Sequence, residues 1–437
     1  MSALVAPPYD VLDAAQKAEL IAKDARNIVG VDLPQVPAKQ LGPAAVYEGA
    51  AKTLEAWIAD GTLSRSATPA MFAYRQRFDF SGASYERCGM ACCGETRPFG
   101  NAPGGGILAH EETFSGPKED RIALMRATET QLSPIFGLHP DDHGTASGVV
   151  RGVMAKRNPD MTADLGDGVT HELWRVEDEA TIAAYRTALE GEDVFVADGH
   201  HRYNTAVNYR AELEKDGPLP DGHPATRTMV VMVGMSDPGL AIGPTHRVLG
   251  GMSDYGLDRL LEGLSPFFNA SEFTGPAEAI ETEMFTQAPT GLDAGQIGNV
   301  LGLIDFESGR RFVLTPRSGD LLAETHGNKS HAWRSLDVAL IQEVIVERVC
   351  RPMLNKGEPV KWAFPHTVEE VLAIGSGRET GAGGGAGFAQ MAVIVRPTPM
   401  EAVKAVSRAG ELMPQKSTFF YPKLATGLFV HPLQEGS

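Results

Sequence analysis

Asp198-Gly199-His200-His201-Arg202 packs an acid, a glycine, two imidazoles and a guanidinium into five consecutive residues. An apolar run, Val194 to Ala197, leads into them, and Tyr203 to Lys215 follows with amphipathic helical spacing closed by Gly217. A strand that runs straight into a helix leaves backbone N–H groups unpaired at the helix start. Those donors and the helix dipole attract an anion. Gly199 allows close backbone approach, and His200, His201, Arg202 and the adjoining Tyr203 are the candidate contacts to a phosphate-bearing cofactor. Asp198, at the carboxyl end of a strand, can hold Mg²⁺ or take a proton from an attacking hydroxyl. His201 is a further catalytic candidate, since imidazole titrates near neutral pH. The turn also reads as a helix cap, with Asp198 capping and the histidines solvated. A two-histidine metal site has less support, because adjacent residues rarely reach one ion and no HxxxH partner is near.

Four other clusters carry chemistry. Pro7-Pro8-Tyr9-Asp10 opens an extended piece whose acid could serve as a base, or simply form a turn. His110-Glu111-Glu112-Thr113 sets an acid pair beside a histidine, fit to bind an ammonium or act as a base (Glu112), or else to lead into a helix at Pro117. Pro244-Thr245-His246-Arg247 follows a buried strand and could clamp a carboxylate or phosphate. Gln415-Lys416-Ser417-Thr418 and Lys423 add donors in a loop able to close over a phosphate. The candidate substrate contacts are therefore His110, Thr113, His246, Arg247, Lys416 and Ser417. No Walker lysine and serine, no G-x-G-x-x-G after a strand and no G-x-S-x-G elbow compete with these.

The elements that must position them are mixed. A helix capped by Asp13 is predicted over Ala14 to Lys23, and others over Pro43 to Asp60, Pro117 to Thr128 and Glu177 to Leu189. Ala70 to Thr96 reads as a β-hairpin turning at Ser81-Gly82. His171 to Val176, Val194 to Ala197, Met229 to Val233 and Gln390 to Arg396 read as strands, and Ser335 to Arg348 as a strongly amphipathic helix. The glycine-rich loop from Gly377 to Gly387 is expected to be mobile without a ligand. The fold class is thus α/β to α+β. Three regions are expected, 1–130, 131–250 and 251–437, with segments interleaved.

Composition narrows the partners. The chain has 437 residues, 43% hydrophobic and 22% charged, with a net charge of -17. That charge repels nucleic acid and anionic membrane surfaces unless one face is locally basic. No run nears the roughly 20 apolar residues that span a bilayer. The first ten residues lack the pattern of a signal peptide. Four cysteines, three of them Cys88, Cys92 and Cys93, suit core thiols and a reducing cytoplasm better than a disulfide or zinc framework.

The Asp198-to-Arg202 pattern between strand and helix resembles the signature of the ParB/sulfiredoxin-like superfamily, and especially its free-serine kinases. The whole chain resembles a widespread prokaryotic family known as domain of unknown function 1015. Its marks stand here as Pro7 to Val11, His110 to Thr113, Ala197 to Tyr203, Pro244 to Arg247 and Pro414 to Thr418. The resemblance implies a ParB/sulfiredoxin-like core carrying large insertions, with a second mixed α/β region. It implies that the turn grips the phosphates of ATP or ADP with Mg²⁺, and that Asp10 is the base toward a hydroxyl. Almost 190 residues separate Asp10 from Asp198, more than in those kinases. Three functions follow as readings: a phosphotransferase for a small hydroxyl substrate such as free serine, a nucleotide-binding switch, or a phosphatase.

Overall fold

The computed structural model describes residues 1–38, 40–111, 116–287, 299–379, 385 and 387–434. The fold is mixed α/β, built from several sheets and helices. It divides into two compact units. The first holds Met1–Ala109, Thr113–Ala241 and Phe420–Ser437, and the second His110–Glu112 and Ile242–Phe419.

The first unit is organised by an eight-stranded sheet. In chain order its strands are β1 (Met71–Phe80), β2 (Ala83–Glu95), β3 (Ile107–Leu108), β4 (Ile135–His139), β5 (Met161–Asp164), β6 (Thr170–Val176), β7 (Val194–Asp198) and β8 (Arg227–Gly234). Across the sheet they run β3-β7-β4-β8-β2-β1-β6-β5. The expected hairpin is β1–β2, in register from Phe72 with Ala91 to Phe80 with Ala83. Ser81 and Gly82 turn it at φ values of 50° and 77°, the left-handed pair that matches the twist of two strands joined by two residues. β4 is buried along its whole length and β8 at all but its first residue, which is why their runs are apolar without alternation. β4 pairs parallel with β8 and antiparallel with β7, and this sets Phe136 opposite Asp198.

Helices cover the sheet where the sequence places its apolar stripes. Thr145–Met154 and Glu179–Ala188 contribute Ala146, Val150 and Tyr185 to the core that contains Trp174, Val196 and Tyr203. The Ala14–Lys23 helix begins in a reciprocal cap: Asp13 accepts from Gln16 N at 2.8 Å and Gln16 accepts from Asp13 N at 2.9 Å. Tyr47, Leu54 and Trp57 of the Ala44–Ala59 helix pack with Leu20, Leu124 and Leu132.

The second unit has a six-stranded sheet of β9 (Arg247–Gly250), β10 (Phe268–Glu272), β11 (Leu301–Asp305), β12 (Arg311–Pro316), β13 (Lys361–Ala363) and β14 (Ala389–Ile394). Its spatial order is β10-β12-β11-β14-β9-β13. The amphipathic helix expected from Ser335 is more buried than its pattern implied. Asp337–Leu340 leads into a π-helix, Ile341–Leu354, whose Ile341, Val344, Ile345, Val346, Val349 and Cys350 are all buried. The wider winding of the π form rotates residues off the 3.6-residue stripe. Most of the glycine-rich 377–387 loop lies outside the described residues.

β9 meets β14 with a register shift at Gly250, where a Cβ would sit 1.9 Å from the Phe388 carbonyl oxygen. Gly250→Ala is therefore expected to destabilise the protein by about 1–3 kcal/mol through overpacking against backbone. Urea denaturation measures this, and a midpoint equal to wild type would contradict it.

Candidate functional site

β7 carries the turn to the sheet's carboxyl end and Gly199 redirects the chain. Its φ of 91° is a left-handed conformation that a side chain would strain, and it stands at the N-cap of the His200–Leu213 helix. The helix starts three residues earlier than its apolar spacing suggested, so His200, His201 and Arg202 form its first turn. The cap position brings no side chain to the helix. Elsewhere Asp13, Asp178, Ser330 and Thr367 cap their helices with side-chain oxygens. Here a glycine stands at the cap position instead, and a helix start of this kind suits an anion through its dipole.

Asp198 spends its oxygens on cations. Oδ2 accepts from Arg202 Nη2 at 2.6 Å and Oδ1 accepts from Lys423 Nζ at 2.6 Å. Burial opposes the charge on Asp198, but Lys423 and Arg202 outweigh it, and the carboxyl titrates well below the usual carboxylate range. Arg202 also donates to the Pro134 carbonyl. Burial lowers the pKa of its guanidinium, while Asp198, Asp10, Tyr9 and Asp32 raise it further, so the charge is retained. Asp10 thus lies within electrostatic reach of the turn despite its distance in sequence, and it is exposed. It sits in a short 3₁₀ turn, Tyr9–Val11.

Behind Arg202 lies a buried polar array. Arg121 is centred 3.9 Å over the Tyr9 ring, pairs with Asp120 at 2.7 Å and donates to the Asp32 carbonyl at 2.6 Å. Ser133 donates to the Asp32 carboxylate at 2.9 Å. A cavity of about 40 Å³ is lined by Tyr9, Asp32, Arg121, Ser133, Arg202 and Thr205 among others, room for a few waters.

His200 is buried with its ring 6.4 Å from Phe99, and it helps to hold the Asp198 pKa down. His201 is half-buried. Tyr203 points into the core, where its hydroxyl accepts from Arg97 N at 3.0 Å and donates to Arg97 O at 2.7 Å. In this geometry it anchors the helix.

The second unit gathers most of the other expected residues around residues 414–418. His110 Nε2 and Thr418 Oγ1 are 2.8 Å apart, and Glu111 accepts from Lys416 N at 3.0 Å. Arg247 is buried and donates to the carbonyls of Thr245, Gln415 and Lys416, the last at 2.9 Å. Its guanidinium is used to shape this loop. Ser417 is buried and donates to the Pro414 carbonyl, while Lys416 is exposed at a φ of 59°. His246 is 0% exposed, accepts from Val395 N at 3.2 Å, and is pushed by burial down to about 3, so it is neutral at ordinary pH. Glu112 and Thr113 lie outside the described residues.

Mg²⁺ does not fit at Asp198. Each oxygen already accepts from a cation, and no group of three or more His, Cys, Asp or Glu placed to hold a metal occurs among the described residues. The cysteines are free: Cys88 and Cys350 are buried, Cys92 is partly buried and Cys93 is exposed. No described helix is long and apolar enough to cross a membrane.

The family model described as "Protein of unknown function (DUF1015)" matches residues 1–339. The chain belongs to this family. Asp10 and the Asp198 turn fall inside the matched part, whereas 414–418 and Lys423 follow it. No curated protein is significantly similar in sequence. Among solved structures, a free serine kinase in complex with AMP is 12% identical, with a TM-score of 0.34 over 75% of this chain and 88% of that one. A conserved hypothetical protein from Pyrococcus furiosus is 14% identical, with a TM-score of 0.32 over 72% and 89%. SbnI with a C-terminal truncation, from Staphylococcus aureus, is 11% identical, with a TM-score of 0.31 over 79% and 86%. Likenesses this faint say nothing of the site.

Sequence patterns singled out Asp198 to Arg202 and noted Lys423 only as a loop donor. They gave no signal for Asp32 or Arg121 and flagged Tyr9 only as part of the Pro7-to-Val11 segment; the roles of all three come from tertiary contacts. The double clamp has a pH consequence. A carboxyl with a depressed folded pKa stabilises above its unfolded pKa of about 3.9, and that stability is lost as pH falls through the folded value. Lys423→Met removes one cation, so the Asp198 pKa rises and acid unfolding should begin at higher pH than in wild type. Far-UV circular dichroism across an acid titration reads the shift; coincident curves would show that Lys423 does not stabilise the ionised carboxylate.

Proposed function

We propose that this protein is a nucleotide-dependent phosphotransferase acting on a small hydroxyl substrate, with the Asp198–Arg202 turn and Lys423 holding the phosphates of ATP or ADP. The observation that carries the reading is the Asp198 clamp. It fixes two cations at a helix N-terminus that no side chain caps. Such a cluster suits an anion with several oxygens, because backbone donors, helix dipole and side-chain charges converge on it.

The roles follow from charge. Asp198 repels phosphate, so it acts through Arg202 and Lys423, orienting both. At Gly199 the Arg202 guanidinium lies close against the cap, and a phosphate oxygen docks beside it at the first turn, flanked by His200 and His201. Asp10, exposed and electrostatically linked to Arg202, is the base. The acceptor oxygen attacks the terminal phosphorus and a new P–O bond forms. The bond to the leaving nucleotide oxygen breaks, that oxygen takes the electron pair, and the acceptor proton passes to Asp10. Lys423, Arg202 and the backbone donors offset charge on the transferring group, the main source of catalysis in phosphoryl transfer. Of the expected substrate contacts in the second unit, Lys416 is exposed and available to an anionic ligand, whereas Arg247 and His246 serve the local structure.

The test is nucleotide consumption with and without hydroxyl acceptors, free serine first because the turn resembles that of free-serine kinases. Acceptor-dependent conversion of ATP or ADP, with a phosphorylated acceptor formed, supports the reading. Asp198→Asn should cut turnover by roughly 10²-fold or more, since an amide cannot orient two cations. Nucleotide bound but never consumed would favour a switch. Phosphate released from phosphoserine without nucleotide would favour a phosphatase.

A further inference from the structure

Lys423 reaches Asp198 from 225 residues away, and its own backbone is held by two buried side chains of the central hairpin. Arg87 on β2 donates from Nη1 to the Tyr421 carbonyl at 3.1 Å and from Nη2 to the Pro422 carbonyl at 2.5 Å. Gln76 on β1 donates from Nε2 to the carbonyl of Lys423 itself at 3.0 Å. Gln76 Oε1 accepts from Arg87 Nε at 3.1 Å, so the two side chains form one unit. Three successive carbonyls are thereby fixed from beneath.

The arrangement is costly in a way that packing alone does not call for. Arg87 is 1% exposed and Gln76 2% exposed. No carboxylate forms an ion pair with Arg87 among the described residues, and burial pushes its guanidinium down to about 10. A buried charge with no carboxylate in contact, and only the longer-range field of Asp237 and Asp198, needs an array of aligned acceptors. The carbonyls before Lys423 are that array. The guanidinium also lies 4.5 Å over the ring of Phe136, the residue paired with Asp198 across β4 and β7. The clamp therefore touches the supports of both members of the Asp198–Lys423 pair.

We infer that Arg87 and Gln76 are positioning residues: they set the Lys423 ammonium on Asp198 and so determine whether the turn presents its second cation to a phosphate. The ligand part of this inference rests on the phosphate-binding reading above; the positioning part does not.

The test uses the full chain with Gln76→Leu, which removes the bond to the Lys423 carbonyl and the acceptor for Arg87. Gln76→Glu, which keeps an acceptor for Arg87 but loses the donor to the Lys423 carbonyl and adds a negative charge beside the guanidinium, serves if the leucine variant does not fold. Two readouts are taken. The first is the rate at which an amine-acylating reagent modifies Lys423, followed by peptide mass spectrometry. It is expected to rise several-fold once the ammonium leaves its carboxylate. The second is ATP affinity by calorimetry, with the Gln76 change made in wild type and in Lys423→Met. A loss of roughly tenfold in wild type and none in the Lys423→Met background is expected, because a residue acting through Lys423 has nothing left to position. Equal losses in both backgrounds with unchanged Lys423 reactivity overturn the inference and leave Gln76 merely structural. If Lys423→Met itself binds ATP as wild type does, the phosphate reading fails, and the reactivity of Lys423 alone decides the positioning claim.

Discussion

A carboxylate held between two cations organises the first unit. Asp198 is only 19% exposed, and a lone charge in that position would be poorly solvated and would drift toward protonation. Arg202 answers it from the next helical turn and Lys423 from the far end of the chain. Each cation in turn depends on the carboxylate, since two positive groups so close repel unless a negative one stands between them. Removing Asp198 would leave two largely buried cations uncompensated, the situation in which such groups matter most, whereas removing either cation leaves the carboxylate with a single partner. The turn, β7 and the C-terminal segment are thus tied by one electrostatic requirement.

The same requirement separates roles that the sequence left merged. Asp198 could have capped the helix, held a metal or taken a proton. With both oxygens bonded to cations it is suited to none of these, and Gly199 takes the cap position without closing it. In the phosphotransferase proposed above the proton-accepting role is given to Asp10, which is exposed and acts on Arg202 from outside the pair. In the second unit a buried arginine does comparable work without an anion: Arg247 orders a loop by donating to its carbonyls, much as Arg87 does beneath Lys423. Guanidinium suits both tasks because its planar fork reaches several acceptors at once.

Local signals in the sequence carried the local structure well. Ser81-Gly82 announced a two-residue hairpin because only left-handed residues close one, and the Asp13 box announced a helix start. The apolar run of β8 carried burial but not partner, since parallel pairing with a distant strand leaves no mark on either strand, and β4 itself was not read as a strand. Three failures have physical reasons. The His200–Leu213 helix was placed to begin at Tyr203, because polar first-turn residues hide the apolar stripe. Arg87 was not singled out, because a charged residue within a strand carries no sign of burial and only the fold shows it buried. Lys423 stood out as a loose donor, and nothing in its neighbourhood points to an acid 225 residues earlier. Composition, for its part, speaks to bulk charge and not to a cation pair at one turn.

The central claim, that phosphate oxygens dock on the first turn of the His200–Leu213 helix, is tested most directly by backbone amide chemical shifts during titration with ADP. The account predicts saturable shifts centred on Gly199, His200, His201 and Arg202, accompanied by the Lys423 ammonium. Saturable binding that leaves those amides unmoved while others shift would contradict it.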